Sequence, residues 1–177
     1  MKKITILLTF AIFLSIKLFG QCSISSTEPG NNIVRLYAAG EKLYQNEDLE
    51  NGLFQAYIQT LLDFNKSDKG NLKITLLVSV AKYRKGQDLV PRQILIKLQD
   101  GSLISILADE LNVKSNNGLN IQQCYFVLND DDAIRLYKIG ITTFEIIDNR
   151  TNENLLTKPY SKIIQEQIGC LFKTYNN

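Results

Sequence analysis

The run from Ile94 to Leu107 reads I-L-I-K-L-Q-D-G-S-L-I-S-I-L, and no other stretch narrows the possible folds so far. Two arms rich in β-branched residues flank Asp100-Gly101. That pair suits a type I′ turn, in which both central residues take positive φ. The expectation is a β-hairpin with a two-residue loop. Such a loop sets Leu98 opposite Leu103, with Ile94, Ile96, Ser105 and Leu107 on the same face and Leu95, Ile104 and Ile106 on the other. Apolar residues on both faces suit a hairpin inside a sheet rather than one at its edge.

The flanking sequence repeats the strand signal. From Leu53 to Phe64, Phe54, Ala56, Ile58, Leu62 and Phe64 share one side, while Gln55, Gln59 and Asp63 take the other. Phe54, Ile58 and Leu61 also fit helical spacing. The polar turn N-K-S-D-K-G-N and the strict alternation of Leu72, Ile74, Leu76, Val78 and Val80 behind it favour a second hairpin. Ile33–Tyr44 fits a helix or a first strand, and Gly40 argues against one long helix. Pro91 suits the start of a strand. Ile121–Leu128 reads as a strand with Cys124, Phe126 and Leu128 on one face, and Ile141–Ile147 as another with Phe144 and Ile146 inward. Between them, Asn129, three aspartates, a late Lys138 and Gly140 predict a short helix. A last helix is expected from Tyr160 to Thr174, with Ile164, Ile168 and Leu171 as its apolar stripe. The fold class expected is mainly β: a two-layer β-sandwich of about seven strands, a short helix near 130–138 and a C-terminal helix packed on it.

The amino-terminal end predicts export. Met1-Lys2-Lys3 precedes an apolar run, Ile4–Ile16, too short to span a bilayer and suited to a signal peptide over residues 1–20. Residues 21–32 read as a flexible leader, and 33–177 as a single β-rich domain. Gln21 stands before Cys22, where a lipoprotein signal places a small residue, so export without a lipid anchor is expected, and no transmembrane span in the mature form. Residues 1–20 hold three of the chain's 20 basic side chains and none of its 18 acids. The remainder is nearly neutral, which gives no electrostatic case for nucleic acid.

The chain has no histidine, which excludes Ser-His-Asp and Cys-His nucleophiles and histidine zinc sites. It has no C-x-x-C pair and no glycine-rich phosphate loop. No cofactor is expected. Asp130-Asp131-Asp132 has the charge for a hard cation, yet lacks the alternate acids of a calcium loop and better complements a helix N-terminus. Asp63 and Glu145, both on expected strands, are the candidate pair for a carboxylate-based hydrolase. Lys82–Lys85 mixes basic and aromatic residues, as a polyanion patch does, but reads as a solvated strand end. The eight tyrosines suit strands, or a face that stacks on sugars. Cys124 and Cys170 each lie on an expected core face, which suits a disulfide between them where helix meets sheet or two small buried thiols, with Cys22 as a rival partner for either.

The D-G hairpin Ile94–Ile106, the strand–acidic helix–strand run Phe126–Ile146 and the cysteine-bearing helix Ile164–Leu171 together resemble a broad set of small exported bacterial β-sandwich proteins of unknown function. That resemblance brings no catalytic residues. The signal segment, joined to the absence of catalytic groups, leads to the expectation of a non-catalytic envelope protein that binds a protein or a glycan, or has a structural role, with the carboxylate-based hydrolase as the alternative.

Overall fold

The alternating runs become two antiparallel sheets. The computed structural model describes residues 23–48, 52–68, 71–83, 89–116 and 119–177. The larger sheet has the order β1 (Ile24–Gly30), β2 (Ile33–Ala38), β4 (Gly52–Asn65), β5 (Leu72–Tyr83), β9 (Leu119–Val127) and β8 (Glu110–Asn116), and β3 (Glu41–Asp48) also pairs with β4. The smaller sheet has the order β11 (Glu153–Thr157), β10 (Ile141–Asp148), β6 (Gln93–Leu98) and β7 (Leu103–Leu107). Helix α1 is Asp130–Lys138, and α2 is Ile163–Asn176.

The sheets meet face to face over one apolar core. Ile58, Leu76, Val78, Cys124 and Phe126 of the larger sheet pack against Ile94, Ile96, Ile104, Phe144 and Ile146 of the smaller. Each large side chain fully removed from water there stabilises the fold by about 1.5–3 kcal/mol. Where the smaller sheet stops, α2 takes over as the second layer. Its Leu171 packs on Leu36, Ala38 and Leu62, with Ile24 and Tyr175 against the same cluster. The expected β-sandwich with a C-terminal helix packed on it is thus the fold observed, built from more strands than expected.

Two turns exchange roles relative to the sequence reading. The Ile94–Leu107 hairpin has a three-residue loop, Gln99-Asp100-Gly101. Leu98 N–H donates to Ser102 O (2.9 Å), and Gly101 N–H donates to Leu98 O (3.1 Å). Only Gly101 takes positive φ (85°). Asp100 instead caps the loop, accepting from Ser102 N–H (2.9 Å) and Ser102 Oγ–H (2.6 Å). These bonds hold its carboxyl below the usual range. The register is therefore Lys97 opposite Leu103 and Ile96 opposite Ile104. A slip of one residue turns a whole strand over. Ile104 and Ile106 face inward, while Leu103 and Leu107 lie outside at 62% and 67% exposure. β7 also ends its sheet, which corrects the central hairpin anticipated.

The two-residue type I′ geometry appears at Asn31-Asn32, with φ of 52° and 60°, joining Gly30 to its partner Ile33. Asparagine tolerates the left-handed region better than most residues. The stretch expected to be a flexible leader thus pairs along β2 as β1 from Ile24 onward. Three further strands were not anticipated: β3, β8, and β11 in part of what reads as polar loop. Helix α1 matches its prediction, with the Asn129 side chain accepting from Asp132 N–H (2.8 Å).

Candidate functional site

Strand β4 positions the site. Its fourteen residues are long enough for two short strands to share one edge, β2 along 61–65 and β3 along 52–58. Alternation sends Ala56, Ile58, Thr60 and Leu62 inward and leaves Gln55, Tyr57 and Gln59 on the outer face. The register extends those residues into rows across β4, β5 and β9: Gln55–Ala81–Ile121, Tyr57–Ser79–Gln123 and Gln59–Leu77–Tyr125. These rows form an open groove of about 310 Å³. That is at the small end of ligand pockets, roughly 300–1,000 Å³.

The groove is neutral and rich in amides. Tyr57 O–H donates to Gln55 Oε1 (3.0 Å). Gln123 Nε2–H donates to Ser79 Oγ (3.1 Å), while its Oε1 is buried and makes no hydrogen bond. Turning the amide over would leave the nitrogen unpaired instead, so either way one polar atom of Gln123 is spare. Leu77, Ala81 and Ile121 add apolar surface. No charged side chain is among the described lining residues.

One wall of the groove is a break in the sheet. Between Ala38 and Glu41 the edge of β4 has no strand partner, and Gly40 lines the groove there. The backbone carbonyls exposed by the break need donors. Two glutamines supply them from opposite faces. Gln59 Nε2–H, on the outside, donates to Ala38 O (2.7 Å). Gln167 Nε2–H, from α2 on the inside, donates to Ala39 O (2.9 Å) and Ile58 O (3.3 Å), and its Oε1 accepts from Thr60 Oγ1–H (2.7 Å).

Further along the same face, Arg35 makes a two-pronged pair with Asp63 (2.6 Å for both bonds). The pairing holds the Arg35 guanidinium above its ordinary pKa against the cost of burial. Nearby, burial pushes the Tyr125 phenol up.

The structure separates the residues that sequence reading proposed as a catalytic pair. Asp63 is committed to Arg35 on the outer face of the larger sheet. Glu145 lies on β10 of the smaller sheet, where Asn154 Nδ2–H donates to it (2.6 Å). With the core between their two sheets, they form no hydrolytic dyad. The aspartates Asp130–Asp132 line the first turn of α1, and Asp132 pairs with Arg135 (3.1 Å). Among the described residues no acidic, cysteine or histidine cluster could hold a metal ion. The side chains of the Lys82–Lys85 run lie outside the described residues. Of the tyrosines, Tyr57 lines the groove, and the register sets Tyr37 and Tyr125 on the same outer face.

The anticipated Cys124–Cys170 bridge is not made. Cys124 is a free thiol, fully buried in the core. Burial pushes its pKa up to about 11. Cys170 is disulfide-bonded, and to a partner other than Cys124. The inward stripe of α2 is Ile164, Ile168 and Leu171, and Cys170 sits beside it, only half buried. Cys22 lies outside the described residues.

Sequence reading missed Gln123, Ser79 and Gln167. Isolated glutamines and serines carry no motif, and only the register brings them together. It also missed Asp148, a wholly buried carboxylate at the end of β10. No helix among the described residues is long and apolar enough to cross a membrane. No family model, no curated protein and no solved structure matches this chain.

Proposed function

We propose that this chain is an exported, non-catalytic β-sandwich whose outer groove binds a neutral, hydroxyl-rich ligand, namely a glycan of the cell envelope. The observation that carries the reading is the groove's lining: amides, a hydroxyl and a tyrosine beside apolar patches, with one amide atom of Gln123 unpaired. A pyranose offers the complement, hydroxyls at its rim and C–H groups on its faces. Amides both donate and accept, and an aromatic ring covers C–H surface. The lack of charge in the lining argues against anionic ligands.

The test is titration of the purified mature chain with soluble fragments of envelope polysaccharides, read by calorimetry. Binding is expected, and Gln123→Ala and Tyr57→Ala should each weaken it about tenfold, equivalent to about 1.4 kcal/mol. Absence of binding across such a panel, or equal affinity in both variants, sinks the reading.

Export is supported by the amino-terminal segment and by the disulfide at Cys170. Disulfides persist in oxidising compartments. With Cys124 free, the chain's remaining cysteine is Cys22, and Ile24, two residues on, packs in the same cluster as Leu171. Thiol counting tests this. The folded protein should be inert to alkylation at neutral pH, since the Cys124 thiol is buried and un-ionised. Unfolding without reductant should release one thiol per chain, mapped to Cys124. Three released thiols, or a diacylated Cys22, would overturn it.

A further inference from the structure

The chain has two free strand edges that follow one another in sequence, and both are self-complementary. β7 ends the smaller sheet and β8 ends the larger. β7 reads Leu-Ile-Ser-Ile-Leu, the same in both directions about Ser105. Its hydrogen-bonding side can be assigned. Leu98 bonds Ser102 across the hairpin, so alternation makes Ile96–Ile104 and Ile94–Ile106 the bonded pairs. The N–H and C=O groups of Leu103, Ser105 and Leu107 then point away from β6, to the free edge. Arg135 Nη2–H reaches Leu103 O (3.3 Å) from that side.

An open edge flanked by large apolar side chains is a template for another strand. Leu103 and Leu107 are among the most exposed large hydrophobic residues described. β8 behaves alike. About Asn112 its residues read Glu-Leu-Asn-Val-Lys. An antiparallel copy sets position 110, an acid, opposite 114, a base, and Leu111 opposite Val113. Leu111 and Val113 are themselves exposed, at 42% and 55%. Ser105 lies three residues before the Ala108-Asp109 link and Asn112 three after it, so the two centres are equally far from the link along the chain.

We propose that two copies of this chain pair antiparallel, edge to edge, about a two-fold axis through Ser105 and Asn112. The occupant is a second copy because both edges match themselves in register: leucine against leucine on β7, acid against base on β8. A self-complementary patch is what a two-fold dimer interface requires. Both sheets become continuous across the dimer, and four leucines, Leu103 and Leu107 from each copy, cover one another on the outer face of the smaller sheet. Both groove faces look to the same side.

The experiment is sedimentation of the purified mature chain at micromolar concentration. The wild type should have twice the chain mass. Ser105→Lys sets two like charges face to face at the axis, and should raise the dissociation constant at least tenfold while leaving the circular dichroism of the folded chain unchanged. Glu110→Lys should weaken the dimer, and adding Lys114→Glu should restore it. Ser105→Cys, at the axis, should cross-link to its own copy on mild oxidation, whereas Asn149→Cys, on the β10–β11 turn, should not. A monomeric wild type, an unaltered dimer in Ser105→Lys, or no cross-link at Ser105→Cys overturns the proposal.

Discussion

Asp148→Ala should lower the unfolding free energy by about 2–3 kcal/mol at neutral pH. The carboxylate is fully buried at the end of β10 and accepts four hydrogen bonds: Val90 N–H (3.1 Å), Arg150 N–H (3.1 Å), Arg150 Nε–H (3.3 Å) and Arg150 Nη2–H (3.2 Å). It therefore ties the entry to β6 to the turn between β10 and β11. Alanine leaves the Val90 N–H buried without a partner, which alone costs about 1–3 kcal/mol. Arg150 softens the loss, because it reaches solvent (51% exposed) and can be rehydrated. The effect is thus below the 3–5 kcal/mol typical of breaking a wholly buried pair. The same site sets an acid limb. Burial pushes the Asp148 carboxyl up, but the bonds from Arg150 and Val90 outweigh it, and the group sits below the usual carboxylate range. A depressed folded-state value means the unfolded chain binds the proton more readily. The contribution is therefore whole above about pH 4, the unfolded value, and is lost as pH falls through the lower folded value. Urea midpoints at neutral pH and at about pH 3 check both statements. The alanine variant should be weaker at neutral pH, and its stability should fall less towards acid. Equal midpoints at neutral pH would show that Asp148 contributes nothing net.

What was legible in the sequence followed from side-chain period, and what was not followed from backbone register. The period of two on β4, β5, β9 and β10 is strong because one face of each carries core side chains, although Leu61 on β4 and Leu77 on β5 are buried on the other face as well. Ile58, Val78, Phe126 and Phe144 were all readable as core. Helix α1 was readable because its signals are local, an asparagine cap and acids in the first turn. The hairpin at Asp100-Gly101 was misread because the dipeptide suits two loop lengths. The deciding interaction, Asp100 capping Ser102, depends on a side chain outside the turn pair. That single step turned β7 over and exposed two leucines. The groove could not be read at all. Gln55, Gln123 and Ser79 are ordinary outward strand residues until the pairing of β4, β5 and β9 aligns them. Nor could the state of Cys124 be read, since a core face suits a buried thiol as well as a bridge.

Gln167→Leu should cost about 2–4 kcal/mol of stability and weaken ligand binding in the groove, although Gln167 itself lies inside the sandwich. Leucine fills nearly the same space, so the loss is one of hydrogen bonds rather than volume. The glutamine amide serves three groups at the break between β2 and β3: it donates to Ala39 O and Ile58 O and accepts from the buried Thr60 hydroxyl. Each group left buried and unpaired costs about 1–3 kcal/mol, and partial hydration at the exposed Ala39 trims the sum. The backbone that loses its anchor is the link through Gly40, which is also a wall of the groove. From the other face Gln59 holds the link at Ala38 O. Freed from inside, residues 39–40 can move, and ordering them again on binding reduces affinity. Gln167→Glu separates the two effects. It keeps the bond from Thr60 but offers no N–H to the carbonyls, so it should weaken binding as leucine does. Thr60→Val removes the hydroxyl without touching the carbonyls and should change stability alone. Calorimetric titration beside thermal unfolding of the three variants measures both quantities. If Gln167→Leu binds as tightly as the wild type, the break is not a wall that the ligand needs.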